Sequence, residues 1–386
     1  MAACHRPVIR VAVRKIRAAA HPAPAARQPW LGRMRIAMIS TPFLPVPPRD
    51  YGGTELVVYE LVEGLIERGH QVTLFTTGDS RTQALQYALY PTPQWPPAPL
   101  ADLNHVSWAM THVARGEYDV VHAHSAVALA LGRLLPGLPL VYTLHHTHEP
   151  SMSDYYRHFP EAEYVAISHD QCQRESGVRA CTVIHHGLDP SRYRWSPQPE
   201  PYVCFVARFA PEKGAHTAID VAALAGVSIR VAGNVHPANI DYFHAQVESR
   251  LRLPHVTYLG WVGTERKIPL LRGARALVAP IDWNEPFGLI FIEAMLSGCP
   301  VVTFGRGSVP ELIEHGVTGF IARSVEEMAH LIRPGGAVDG LDRQRIRAHA
   351  VHRFGRDRMT ADYERVYHAA MARAARTGDW RPITAA

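Results

Sequence analysis

Pro280-Ile281-Asp282-Trp283-Asn284-Glu285-Pro286-Phe287-Gly288-Leu289-Ile290-Phe291-Ile292-Glu293-Ala294-Met295-Leu296 is the most telling stretch of this chain, and Gly298-Cys299-Pro300-Val301 and Gly307-Ser308-Val309-Pro310-Glu311 follow it closely. Pro286 lacks an amide hydrogen and suits a first helical position, and Gly288 lets a ligand come close to the backbone. The amides of Phe287, Gly288 and Leu289 are then expected to face outward at the positive end of a helix, an arrangement worth ~0.3 to 2 kcal/mol to an anion. Glu285 lies just before this helix and Glu293 roughly 8 Å along it at the usual rise per residue. An offset of that size allows one carboxylate to reach a sugar while the other reaches a ribose. The competing reading is an ordinary amphipathic helix, Leu289 to Leu296, with two solvated glutamates, and the stretch alone does not separate the two.

Outward from here the chain alternates strand and helix patterns, as an α/β protein does. Arg35 to Ser40 reads as a strand, Thr41 to Pro48 as a proline-rich loop, and Tyr51-Gly52-Gly53-Thr54-Glu55 as a turn into a helix. In that helix Leu56, Tyr59, Leu61, Val62, Leu65 and Ile66 recur at helical spacing until Gly69, and Gln71 to Thr76 reads as the next strand. The Gly52-Gly53 amides either cap a phosphate or simply turn the chain. The unit lacks the G-x-G-x-x-G pattern of dinucleotide enzymes, which argues against a dehydrogenase.

Further strands are expected at Asp119 to His122 and Leu138 to Leu144, both ending in histidines. A metal held by His122, His124, His145, His146 and His148 is the chemical alternative there, but the spacing lacks the accompanying carboxylates or cysteines of usual sites. His122 reads more simply as a satisfied strand histidine. Arg192 to Glu200, with Pro197 and Pro199, reads as a linker. Beyond it come a strand at Tyr202 to Val206, then Ala207-Arg208-Phe209-Ala210-Pro211-Glu212-Lys213-Gly214, and strands at 227–232, 256–259, 276–280 and 301–304. Arg343 to Arg353 is expected to be a solvated basic helical face, with adhesion to an anionic membrane as the alternative.

A chain of 386 residues exceeds what one core normally holds, so two domains are expected. They run 34–197 and 198–356, with a final helix over 357–378. Residues 1–33 are basic, free of acids and read as a disordered extension; the composition permits a transit peptide, and a start placed too early, with Met34 directly before a strand, is the preferred reading. With 47% hydrophobic and 19% charged residues the chain is globular. The formal charge of +5 fits anionic substrates but does not single them out. Five cysteines without a C-x-x-C pair point to neither a zinc knuckle nor a dense disulfide scaffold, and a reducing cytoplasm is the simplest home. No 18-residue apolar run predicts a membrane span. No contiguous basic groove with stacking aromatics predicts nucleic-acid binding.

Glu285-Pro286-Phe287-Gly288-Leu289, Glu293-Ala294-Met295, Gly298-Cys299-Pro300-Val301 and Gly307-Ser308-Val309-Pro310-Glu311, taken in order, resemble the signature of the retaining nucleotide-sugar glycosyltransferases of family four, which have the GT-B fold. The start of the chain resembles bacterial members that include pterin glucosyltransferases. The resemblance implies two Rossmann-like domains with parallel sheets facing a central cleft, the acceptor mainly on the first and the nucleotide sugar mainly on the second, and it returns the final helix, 357–378, to the first domain. It places Glu285 at the donor sugar, Glu293 at the ribose hydroxyls, His145 near the sugar, and Gly53 against the diphosphate. Arg208 and Lys213 stand where the family's G-R-x-x-x-E-K-G meets the donor phosphates, with Ala207 replacing the first glycine. Val183 to Pro190 is similar to V-I-x-N-G-I-D, with His186 where asparagine is usual, and Gly187 is left to supply an amide.

These residues predict a hexosyl transfer from a nucleoside diphosphate sugar, UDP-glucose as the first choice, to an acceptor hydroxyl with retention. No metal or other cofactor is expected, because two cations at the diphosphate replace one and no Asp-x-Asp occurs. The alternatives are a GT-B epimerase or phosphorylase, or a noncatalytic glycan- or nucleotide-binding scaffold. A cytoplasmic location, with or without peripheral membrane contact, completes the expectation.

Overall fold

The computed structural model describes residues 32–50 and 52–377, with backbone alone at 377. The reading of 1–31 as an extension therefore lies outside the described residues. The first sheet contains β1 (Arg35–Ile39), β2 (Gln71–Thr76), β3 (Leu85–Ala88), β4 (Val120–Ala123), β5 (Leu140–Thr143), β6 (Glu163–Ala166) and β7 (Cys181–Val183). The second contains β8 (Tyr202–Val206), β9 (Ser228–Ala232), β10 (Val256–Tyr258), β11 (Leu277–Ala279), β12 (Val301–Phe304) and β13 (Gly319–Ala322). Their orders are β3-β2-β1-β4-β5-β6-β7 and β10-β9-β8-β11-β12-β13, and every pairing is parallel.

Parallel strands are covered on both faces, so they read as unbroken apolar runs, and β4, β5 and β8 are buried at every residue. Each sheet reverses its strand order once, at β1/β4 and at β8/β11, and ligands of such sheets bind beyond the carboxyl ends of the strands at that point. The edge strands β3 and β13 were not expected from sequence, because Leu85-Gln86-Tyr87-Ala88 is mostly exposed and forms no apolar run, and Gly319-Phe320-Ile321-Ala322 opens on a glycine.

The last helix, Arg356–Thr377, packs on the first sheet, where Met359, Tyr363, Val366, Tyr367 and Ala370 join a core with Val120 and Val141. Each of its large side chains contributes roughly 1.5–3 kcal/mol by leaving water. The same helix carries Glu364, whose carboxylate receives Arg68 at 2.7 and 2.8 Å and lies 2.8 Å from His70 Nε2. His122 is a satisfied strand histidine, 2.8 Å from both Tyr367 OH and Thr143 Oγ1.

Helix Arg343–Phe354 overturns the expected solvated basic face. Arg343 is buried and donates to the carbonyls of Ser196, Ala274 and Arg272. Arg347 binds those of Tyr193, Leu296 and Pro190, and Arg353 that of Glu311. Helix ends and loops leave carbonyls unpaired, and the guanidinium fork supplies several donors at once. The alternative of membrane adhesion loses these arginines with it. Among the described residues, no helix is long and apolar enough to cross a membrane. Cys172 and Cys181 form a disulfide spanning nine residues, a pairing that no cysteine spacing announced.

Candidate active site

The loops after β1, β5, β6 and β7 on one side and after β8, β10 and β11 on the other enclose a cleft of about 340 Å³. Gly53, His145, Ile167 and His186 line it from the first sheet; Arg208, Lys213, Lys267, Trp283, Glu285, Phe287, Gly288, Leu289 and Glu293 from the second half. Gly53, His145, Arg208, Lys213, Glu285, Phe287, Gly288, Leu289 and Glu293 are therefore brought together in one place. A larger cavity of about 440 Å³ lies at the amino ends of β5 and β6, against Pro139, Phe159 and Ala370, and none of the nine site residues lines it.

The helix in the quoted stretch begins at Leu289, with Gly288 as its N-cap at φ 89°, so Pro286 stands two residues ahead of the cap and not at the first helical position. The left-handed turn at Gly288, which only glycine adopts at low cost, redirects the chain into the helix. The amides of Phe287, Gly288 and Leu289 have no acceptor within the chain among the described residues, as expected of an anion site. Gly53 opens helix Gly53–Glu67, and its amide is likewise without an acceptor among the described residues.

Both glutamates are held in the same way. Glu285 Oε2 receives Lys213 Nζ at 2.6 Å and Trp283 Nε1 at 3.0 Å, and the ammonium lies 4.3 Å from the Trp283 ring centroid. Glu293 Oε1 receives Lys267 Nζ at 2.7 Å and the Tyr193 hydroxyl at 3.1 Å. Burial pushes the Tyr193 phenol well up, with Glu293 adding to it, so the hydroxyl remains a donor. In each carboxylate one oxygen is tied by a lysine and an aromatic N–H or O–H, and the other has no partner among the described residues and is not occluded. Arg208 reaches Glu212 at 3.3 Å, a loose pair that leaves most of its donors open.

Gly307 and Ser308, which the sequence leaves open between aiding the phosphate or sugar and a plain loop, serve as a brace. Ser308 donates through its amide to Glu285 O at 2.9 Å and through Oγ to Phe287 O at 2.8 Å. Gly187 is not a ligand amide either, for it donates to Met359 Sδ at 3.1 Å. Glu311 joins the two halves: it accepts the amides of His169 and Asp170 at 2.7 Å each and pairs with His185 Nε2 at 2.9 Å. Burial raises its pKa, but those hydrogen bonds bring it below the ordinary carboxylate value. His145 is brought down to about 3 by burial and then by His146, and burial first also depresses His124 and His186, so all three are neutral at physiological pH. Among the described residues, no group of three or more His, Cys, Asp or Glu side chains is placed to hold a metal ion.

Residues 193–333 match the model of the glycosyl transferases group 1, and residues 51–192 that of Glycosyltransferase Family 4. The chain belongs to the group 1 glycosyltransferase family. This glycosyltransferase is 25% identical over 430 residues to a D-inositol 3-phosphate glycosyltransferase of Streptomyces avermitilis, covering 90% of both chains. It is 28% identical over 283 residues to a glycogen synthase of Mycobacterium tuberculosis, covering 64% of this chain and 65% of that one. Its GT-B architecture is shared with AviGT4, a glycosyltransferase involved in avilamycin A biosynthesis (TM-score 0.67, 26% identity, 88% and 98% covered). HepE of Anabaena, solved in complex with UDP and glucose, has the same fold (TM-score 0.67, 24% identity, 87% and 100% covered).

Sequence reasoning missed Lys267, Tyr193 and Trp283 in this glycosyltransferase. Lys267 sits in Thr264-Glu265-Arg266-Lys267, which reads as any charged helix start, and Tyr193 in a segment read as linker. Trp283 carried a signal, two residues before Glu285 in the decisive stretch.

Proposed function

We propose that the enzyme moves a hexosyl unit from a nucleoside diphosphate sugar, with UDP-glucose as the first donor to test, to an acceptor hydroxyl with retention at the anomeric carbon and without a metal ion. The observation that carries this reading is the convergence of Arg208, Lys213, the amides of Phe287, Gly288 and Leu289, and both glutamates on one cleft closed from the other side by Gly53 and His145. Arg208 and Lys213 take the charge that develops on the departing diphosphate, aided by the helix-start amides and that of Gly53. Preorganised donors of this kind cost no reorganisation when the bond breaks. Lys213 reaches the phosphate from its place beside Glu285 Oε2, and the free Oε1 of Glu285 accepts from sugar hydroxyls. The free Oε2 of Glu293 accepts from the ribose. His145, neutral in the cleft wall, contacts the sugar. With the acceptor bound on the first-sheet side, its hydroxyl attacks on the face from which the diphosphate leaves, and a phosphate oxygen takes the proton.

The test is a panel of nucleotide sugars scored by thermal stabilisation, followed by a mass-spectrometric acceptor screen and the anomeric configuration of the product by NMR. Stabilisation by a nucleotide sugar, a hexose mass increment on an acceptor and a retained anomer are expected. A metal-dependent reaction, an inverted product, or consumption of the donor without acceptor would each remove the corresponding part of the reading.

A further inference from the structure

Four imidazoles stand in file behind the cleft wall: ring centroids are 4.3 Å apart from His122 to His124, 5.0 Å from His124 to His145 and 5.7 Å from His145 to His186. The hydrogen bonds in the middle of this file determine where protons sit. His124 Nε2 lies 3.2 Å from Met38 Sδ. A thioether sulfur has no hydrogen and can only accept, so Nε2 is the nitrogen of His124 that carries a proton. A neutral imidazole has one N–H, which leaves His124 Nδ1 bare. Its neighbour at 2.7 Å is His145 Nε2, and two bare nitrogens do not meet at that distance, so His145 Nε2 bears the proton and donates. His145 Nδ1 is then bare. It has no partner among the described residues and is not occluded, on a ring that lines the cleft. The depressed pKa values of both rings agree with the neutral state this requires. His122 does not disturb the order, since its two partners are hydroxyls able to donate or accept.

We propose that His124, backed by Met38, is a positioning residue that fixes the Nε2–H tautomer of His145 and so presents Nδ1 to the cleft as a hydrogen-bond acceptor for a hydroxyl of the transferred sugar. This rests on reading the cleft as a glycosyl donor site. The opposite tautomer would turn an N–H toward the cleft and lone pairs of His124 toward the sulfur. A hydroxyl of the sugar would then have to accept rather than donate at this point.

Long-range ¹H–¹⁵N correlation spectra of the full ¹⁵N-labelled protein at neutral pH read the tautomer directly, with His145 assigned by its loss in His145→Gln. A bare Nδ1 and protonated Nε2 are expected; a protonated Nδ1 in the wild type overturns the proposal. In His124→Leu the His145 signals should move toward a tautomer mixture, and KM for UDP-glucose should rise roughly three- to tenfold with little change in kcat. His124→Asn, whose amide oxygen can stand in for Nδ1, should restore both. If His124→Leu does not fold, Met38→Leu takes its place, because it removes the sulfur with little change of volume. An unchanged His145 tautomer in the leucine variant shows that His124 does not position it. The spectra decide this without any turnover, so a failure to use UDP-glucose would refute the donor reading alone.

Discussion

Gly307→Ala tests whether the brace under Glu285 sets the geometry of the site. Gly307 has φ 58°, and a Cβ built on it lies 2.4 Å from both the amide nitrogen and the carbonyl oxygen of Glu285. Ordinary van der Waals contact begins at 3.4 Å, so the backbone of Glu285 must retreat by about 1 Å. That movement carries the Glu285 carboxylate and the Phe287 to Leu289 amides with it, because Ser308 ties the same loop at Glu285 O and Phe287 O. Misplacing catalytic groups by about 1 Å costs on the order of 10²-fold in rate, or roughly 2.7 kcal/mol. The left-handed φ alone adds ~1–2 kcal/mol of instability for alanine. Gly316→Ala separates the two effects: Gly316 has φ 78° but nothing within 4 Å of the added Cβ. In thermal unfolding Gly316→Ala should lose only the stability that the left-handed φ costs, Gly307→Ala should lose more because of the added clash, and only Gly307→Ala should lose about two orders of magnitude in UDP release from UDP-glucose with acceptor present. Equal turnover in the two variants would refute the brace.

Glu364→Gln should weaken docking of the last helix in a pH-dependent way. Burial opposes ionisation of Glu364, but hydrogen bonds from His70 and Arg68 win and hold its pKa at about 2 against an ordinary 4.5. A depressed carboxyl stabilises the fold above its unfolded pKa and loses that contribution as pH falls toward the folded one, here between about 4.5 and about 2. Denaturant unfolding should therefore show a gap between wild type and variant on the order of 3 kcal/mol at pH 7, shrinking below pH 4.5; a pH-independent gap contradicts the linkage. Lys267→Met removes one of the two groups holding Glu293 Oε1 and should lower UDP affinity about tenfold or more, with a smaller loss for 2′-deoxy-UDP. Equal losses for both nucleotides in calorimetry would detach Glu293 from the ribose. Changing Arg208 and Lys213 together to methionine should weaken UDP binding by about 10²–10⁴-fold, two charge-assisted contacts at ~1.5–3 kcal/mol each, and unchanged affinity would remove the phosphate clamp.

The fold was legible because buried parallel strands leave apolar runs too plain to miss, such as Tyr202 to Val206 and Val301 to Phe304. The site was legible where one short segment holds several of its parts, as between Glu285 and Glu293. What stayed hidden depends on contacts between distant segments. Lys267 and Tyr193 meet Glu293 only after the chain has folded, and neither sits in a pattern that marks it. The arginines of helix Arg343–Phe354 looked solvated because sequence does not show which carbonyls the fold leaves unpaired. Gly307 and Ser308 belong to the recognised pattern, but their work is to shape the loop of Glu285, which spacing cannot distinguish from touching a ligand.

Hexosyl transfer by Glu285→Ala against wild type, followed by mass spectrometry of the acceptor with circular dichroism confirming the fold of both, addresses the central claim most directly. The geometry predicts a folded variant whose product falls to background, since Glu285 supplies the open carboxylate oxygen beside Lys213. Wild-type product yield and rate from the folded variant would contradict it.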